Sequence, residues 1–198
     1  VAHLDDTLPK GHPFHGVRVQ PEVETRPEVW LLGSSDYSGV LAAELGLAFA
    51  FAHFINPRGG EAVTQFYRGR FKSGREAAPR VIVCTFAICA ESDAEAERLA
   101  APIDLRRLHM ALNVDSPIPT DEEAARHRYS DEERTYVMGQ RARAVLGSPQ
   151  TCRREIEAMA ERYGADEVMV LTITGAYETR LRSYELLMQE FRDGARTS

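Results

Sequence analysis

Residues 80–90, RVIVCTFAICA, carry β-branched and apolar side chains with no polar alternation. A strand of that kind has no face to offer to water, so it must be covered on both sides, as in a parallel sheet flanked by helices. Two other runs fit the same frame: Ala48 to Phe54, bounded by Gly46, Pro57 and Gly59, and EVMVLTIT from Glu167 to Thr174. A shorter apolar run predicts a further strand at Glu28 to Leu32.

Helical signals fall between these strands. Val63, Phe66, Tyr67 and Phe71 recur at spacings of three and four, predicting a helix from about Gly60 to Phe71. Ser92 with Glu95 opens one that Pro102 is expected to close after Ala101, and Ser148 with Pro149 opens another running to Tyr163. Helices are also expected from about Ser38 to Leu45 and from Tyr177 to Phe191. Residues 102–147 break the rhythm: two prolines precede two short charged helical pieces headed by Thr120/Glu123 and Ser130/Glu133. They read as an insertion. Residues 1–26 form a polar, proline-bearing lead-in, leaving 27–198 as the structured unit.

Four strands alternating with helices imply right-handed crossovers and a parallel α/β sheet. Such a sheet is either open and doubly wound or part of a closed (β/α)8 barrel, which needs about 250 residues when whole. Four units are half a barrel. They would leave two free sheet edges and an uncovered apolar face, which favours self-association into a homo-oligomer.

The net charge of −6 argues against nucleic acid as a partner, because phosphate-backbone binding rests on a basic surface. A small molecule fits better. No apolar run reaches the ~18–20 residues a membrane span requires, and the first residues lack a secretion signal, so a cytoplasmic protein is expected. Cys84, Cys89 and Cys152 cannot all pair with one another and read as reduced core residues; their spacing suits no metal knuckle, and no metal is expected. The chain starts at Val1 rather than at methionine, which suggests a piece of a longer protein.

Chemistry is best sought at the carboxyl ends of the strands, where parallel α/β proteins bind ligands. There the segment LGSSDYS places Gly33, Ser34, Ser35 and Ser38 between a strand and a helix. A helix start directs free amide hydrogens and a positive dipole end at an anion, and small hydroxyls can add donors to a phosphate. The competing reading is a plain helix cap with a glycine turn. Neither a GxGxxG nor a lysine-bearing phosphate loop is present. His53, at a strand end, is a weak catalytic candidate beside a structural reading, and Asn56 after it suits a turn. Glu91, Ser92 and Asp93 read as a capped acidic helix start, and Arg180 or Arg182 as a phosphate contact or a solvated helix face.

The stretch WLLGSSDYSGVLAAELGLAFAFAHF resembles the bacterial luciferase-like, flavin-dependent monooxygenases, and RVIVCTFAICAESDAEAERLA, LGSPQTCRREIEAMAERYGADEVMV and RLRSYELLMQEF resemble that family's closing portions. The resemblance runs from about Pro13 onward and matches only the second half of the family's eight-stranded barrel. It implies an FMN site with the phosphate at Ser34, Ser35 and Ser38 and with Gly33 and Tyr37 beside them. It also implies reduced flavin supplied by a separate reductase, O2 as co-substrate, and oxidation of a small organic molecule. The strands that carry most flavin-ring contacts in the family would be missing. Two other readings stay open: hydride transfer with a deazaflavin on the same fold, and a non-catalytic half-barrel that binds flavin or a partner.

Overall fold

A computed structural model describes residues 2–21, 25 and 27–195; the remaining lead-in positions (1, 22–24 and 26) lie outside it. The described lead-in has turns but no regular element, and Asp5 ties it to the body by an ion pair with Arg75 at 2.6 Å.

The elements alternate as the sequence predicts. β1 (Trp30–Gly33) leads into α1 (Asp36–Leu45), β2 (Ala48–Ala52) into α2 (Gly60–Arg70), and β3 (Val81–Cys89) into α3 (Asp93–Ala111). The insertion holds α4 (Asp121–Arg126), α5 (Asp131–Arg141) and β4 (Ala144–Gly147), before α6 (Pro149–Tyr163), β5 (Glu167–Leu171) and α7 (Tyr177–Ala195). Every strand pairing is parallel.

Two expectations need correction. Pro102 does not end α3, which continues to Ala111. The proline removes the intrahelical bond that its N–H would have given to the Arg98 carbonyl. Burial of Ile103, Leu105 and Leu108 in the following turns offsets that loss. There is also a fifth strand: β4 lies in the segment read as insertion and pairs with the last residues of β3, Phe86 to Cys89. At four residues it is too short to show periodicity, and its extended state depends on that ladder.

The central strand β3 therefore has three partners. Alternate residues of a strand direct their backbone groups to opposite edges. The even-numbered carbonyls of Arg80 and Cys84 accept from Phe49 and Phe54, and the amides of Phe86 and Ala90 donate to Arg143 and Gly147. The odd-numbered Val81 carbonyl accepts from Asp166, just before β5. So β2 and β4 lie end to end on one edge of β3, and β5 takes the other. The four expected strands form the arc β1-β2-β3-β5, with β4 added at the carboxyl end.

The two faces of this arc differ. One presents Phe49, Phe51, Val81, Val83, Ala87 and Cys89 to α1, α2, α6 and α7, forming the main core with Tyr67, Ile156, Met159, Tyr163 and Leu187. Burial of each large side chain there contributes roughly 1.5–3 kcal/mol. Tyr67 also closes the amino end, its hydroxyl donating to the Leu47 carbonyl at 2.8 Å and accepting from the Arg80 amide at 3.2 Å. On the opposite face α3 covers only the carboxyl end, around Ile88 and Ala90. Below it Leu32 is 58% exposed, Met169 52% and Leu171 44%. Between these, Ala50, Ile82 and Cys84 are buried with Trp30 and Phe54 packed against them, so this face is open in part, as the interior of an incomplete barrel would be.

Candidate functional site

Ser35 is the N-cap of α1, in extended backbone conformation, at the carboxyl end of β1. Its Oγ accepts from the Ser38 amide at 3.4 Å, while the Ser35 amide donates to Ser38 Oγ at 3.2 Å, completing a reciprocal capping box. Ser38 Oγ donates to the Ser35 carbonyl at 2.6 Å, so the proton of that buried hydroxyl is committed. In the remaining contact, Oγ to Oγ at 3.3 Å, Ser35 is the donor. It is the exposed Ser35 hydroxyl that can turn outward to a ligand.

Gly33 is small for a local reason. A Cβ there would lie 2.2 Å from Ser38 Oγ and 2.3 Å from Ser38 Cβ, so its missing side chain makes room for Ser38. Tyr37 is 72% exposed, and its amide donates to Asp36 Oδ1 at 2.8 Å. The Asp36 carboxylate already exploits the positive helix end, so an incoming anion must compete with it. Ser34 is joined to the next strand's loop by Asn56 Nδ2, which donates to its carbonyl at 3.5 Å. Ser34, the exposed Ser35 and the start of α1 thus lie together at this join, with Ser38 holding the cap in shape.

His53 lies elsewhere. It follows Phe49 and Phe51 in alternation and turns to the helix-covered face, where Tyr163 Oη lies 2.8 Å from Nδ1 and the Ala142 carbonyl 3.0 Å from Nε2. A carbonyl only accepts, so Nε2 carries the proton and Nδ1 accepts from the tyrosine. Both ring nitrogens are thus occupied in joining β2, α6 and the end of α5, which is a structural role. Burial lowers the His53 pKa, opposed by the Ala142 carbonyl, and it raises that of Tyr163 to about 12. Because the folded-state value lies below the unfolded one near 6.5, the unfolded chain takes up the proton first. The stabilisation is present above about pH 6.5 and is lost as pH falls. The urea midpoint should therefore drop between about pH 7.5 and pH 5.5, and His53→Gln should flatten that dependence.

The other polar residues at strand ends are mostly engaged with one another. Ser92 caps α3 by accepting from the Glu95 amide, and Asp93 Oδ1 accepts from the Ser148 amide at 2.6 Å, which holds its carboxyl below the usual range. Glu91 accepts from Arg182 Nη2 at 2.6 Å, and the Arg180 guanidinium lies 5.3 Å from the Tyr177 ring. All three cysteines are buried and unbridged. Among the described residues, no group of three or more His, Cys, Asp or Glu could hold a metal, and no helix is long and apolar enough to cross a membrane.

A polar cluster at the carboxyl end of β3, beside β4, has no counterpart in the motifs of the sequence. Asp104, only 3% exposed, accepts from Arg141 Nε at 2.9 Å and Nη2 at 2.6 Å, and Arg141 also pairs with Glu97. Burial raises the Asp104 pKa and the Arg141 contacts oppose it. Arg107 lies over the Phe86 ring at 5.0 Å. Asp104, Arg107, Arg141 and Phe86 line a narrow cavity of about 20 Å³ together with Ile88, Ala144 and Ile173. The available signal was an acid inside PIDLRRL, in a stretch whose helical continuation was hidden by Pro102.

Comparison with known proteins supplies the wider frame. Residues 9–167 match the family model described as luciferase-like monooxygenase. The protein YceB of Bacillus subtilis is 37% identical over 95% of this chain and 57% of its own length. The crystal structure of apo-MsnO8 superposes with a TM-score of 0.81 at 33% identity, covering 94% of this chain and 57% of that one. The oxygenating constituent of 3,6-diketocamphane monooxygenase from Pseudomonas putida, solved in complex with FMN, shares the fold at a TM-score of 0.54 and 20% identity, over 83% of this chain and 48% of that one. The chain spans about half the length of the curated relatives it matches.

Proposed function

The chain belongs to the luciferase-like monooxygenase family, and from that premise we propose that it forms the FMN-phosphate end of an enzyme that oxidises a small organic substrate with O2. The carrying observation is the join between β1 and α1. Four features meet at one strand end: an exposed capping hydroxyl on Ser35, a second hydroxyl on Ser34, an amide-bearing helix start, and the open apolar sheet face below. Bound reduced FMN, delivered by a separate reductase, would supply the electrons for oxygen activation. The residues of this chain bind and orient: Ser34 and Ser35 donate to the phosphate, Ser38 and Gly33 keep the cap in place, and the apolar inner face excludes water.

The experiment compares FMN with riboflavin, which lacks the phosphate. Ser35→Asp keeps a good helix cap while placing like charge at the phosphate position; Ser38 has no room for the change, being packed against Gly33. FMN affinity of this variant should fall by about tenfold or more, riboflavin affinity should stay unchanged, and stability should move by less than about 1 kcal/mol. Equal loss for both ligands, or none for either, refutes the phosphate assignment.

One observation favours a second reading. The exposed Leu32, Met169 and Leu171 on an uncovered sheet suit a flavin-binding or partner-binding half-barrel that associates with another copy. A dimer by size-exclusion chromatography with flavin binding but no substrate oxidation selects this reading. A deazaflavin in place of FMN would be distinguished by its absorption spectrum.

A further inference from the structure

Two open grooves of similar size flank the insertion, and their charges differ. The first, about 400 Å³, lies along β4 and α6 and is lined by Glu97, Glu155, Arg141 and Arg162. Its cations are already neutralised: Arg141 pairs with Asp104 and Glu97, and Arg162 Nε lies 3.1 Å from Glu61. The second, about 440 Å³, lies between the loop after β2 and the carboxyl-terminal half of α5. Ile55, Pro57 and the ring of Tyr136 give it an apolar wall, and Arg58, Arg143 and Gln140 give it donors. None of its lining residues is acidic. Among the described residues, neither Arg58 nor Arg143 has a carboxylate within 4.0 Å, in a chain of net charge −6.

We propose that this second groove binds a small organic carboxylate, with the half-buried Arg143 as its fixed anchor, the exposed Arg58 as a second cation, and the Ile55–Pro57–Tyr136 wall against the hydrocarbon part. A planar guanidinium matches the two oxygens of a carboxylate, and partial burial strengthens that pairing relative to a solvated one. Arg143 is held in place by its own backbone, whose carbonyl accepts from Thr85 Oγ1 at 3.2 Å and from the Phe86 amide at 3.3 Å. Arg107 is close enough to Arg143 to feel its charge: burial lowers the Arg107 pKa first, Asp104 opposes that, and Arg143 lowers it again. Asn56 connects the groove to the flavin-phosphate join, donating to Ser34 and accepting from the Arg58 amide at 3.1 Å. The volume is in the range of small-ligand sites. Identifying this carboxylate as the substrate rests on the flavin reading above, whereas its binding does not.

The test is a titration of the full chain with hexanoate and with hexanamide, its neutral analogue, followed by amide chemical shifts or calorimetry. Hexanoate should bind saturably, and hexanamide about tenfold or more weaker. Arg143→Met should weaken hexanoate about tenfold and Arg58→Met about threefold, with Arg162→Met, in the other groove, leaving it unchanged. Because Arg58 is exposed, its variant remains informative if Arg143→Met fails to fold. Equal binding of acid and amide, or unchanged binding in both groove variants, overturns the proposal. So does competition by FMN but not riboflavin, which would assign the groove to the flavin phosphate. Hexanoate binding without flavin binding supports the groove and refutes the flavin reading.

Discussion

Gly33→Ala is expected to destabilise the chain by about 1–3 kcal/mol, well above the few tenths usual for an exposed substitution. The added methyl would sit 2.2–2.3 Å from Ser38 Oγ and Cβ, far inside van der Waals contact, and both ends of the clash belong to a short, hydrogen-bonded turn. Relief requires α1 to shift away from β1, which opens the capping box. Ser38→Gly removes the clashing atoms, so the double variant should be more stable than the sum of the single effects predicts. Chemical denaturation of the four proteins gives the coupling directly. If the double variant shows simple additivity, Gly33 is required for another reason, such as close approach of a ligand.

Asp104→Ala should cost more, about 3–5 kcal/mol, because it strands a half-buried guanidinium rather than merely removing a contact. Arg141 makes two of its hydrogen bonds to a single Asp104 oxygen, and its remaining partner, Glu97, lies on the more exposed side. Asp104→Asn should cost less, since the amide oxygen still accepts while the charge pairing is lost. A thermal or urea denaturation series with Arg141→Met added to Asp104→Ala tests the account. Recovery of stability in that double variant is expected, and continued loss would show that Asp104 matters for helix packing rather than for the ion pair.

How much of this could be read in advance depends on whether a segment's state is decided locally. The run at 80–90 announced a doubly buried strand, observed at 81–89, because only flanking layers could cover it, and the helix stripe through Val63 and Tyr67 pointed to its own inner face. Ser35 and Ser38 were legible as a join, but the sequence left open whether their hydroxyls serve a ligand or the cap. The structure shows that Ser38 is committed to the cap and Ser35 only in part. Three features escaped because partners distant in sequence decide them. β4 is a strand by virtue of β3, α3 continues past Pro102 because of what it covers, and Asp104 is buried because Arg141, on another helix, meets it. His53 illustrates the same limit. Its strand position was clear, yet the face it takes follows from the pairing of Phe49 and Phe51 with the helix layer.

The end-to-end arrangement of β2 and β4 on one edge of β3 has a mechanical consequence. β4 can peel from the last four residues of β3 without disturbing the ladders of β2 or β5, because neither shares its edge positions beyond Phe86. A short ladder also gives way at lower free energy than the long central ones. The segment from α5 to β4 can open as one unit only when the His53–Ala142, Thr85–Arg143 and Arg141–Asp104 contacts break with it. Amides there should fluctuate in concert while those of the sheet centre stay protected, so the rim of the site can loosen as one piece above a rigid floor.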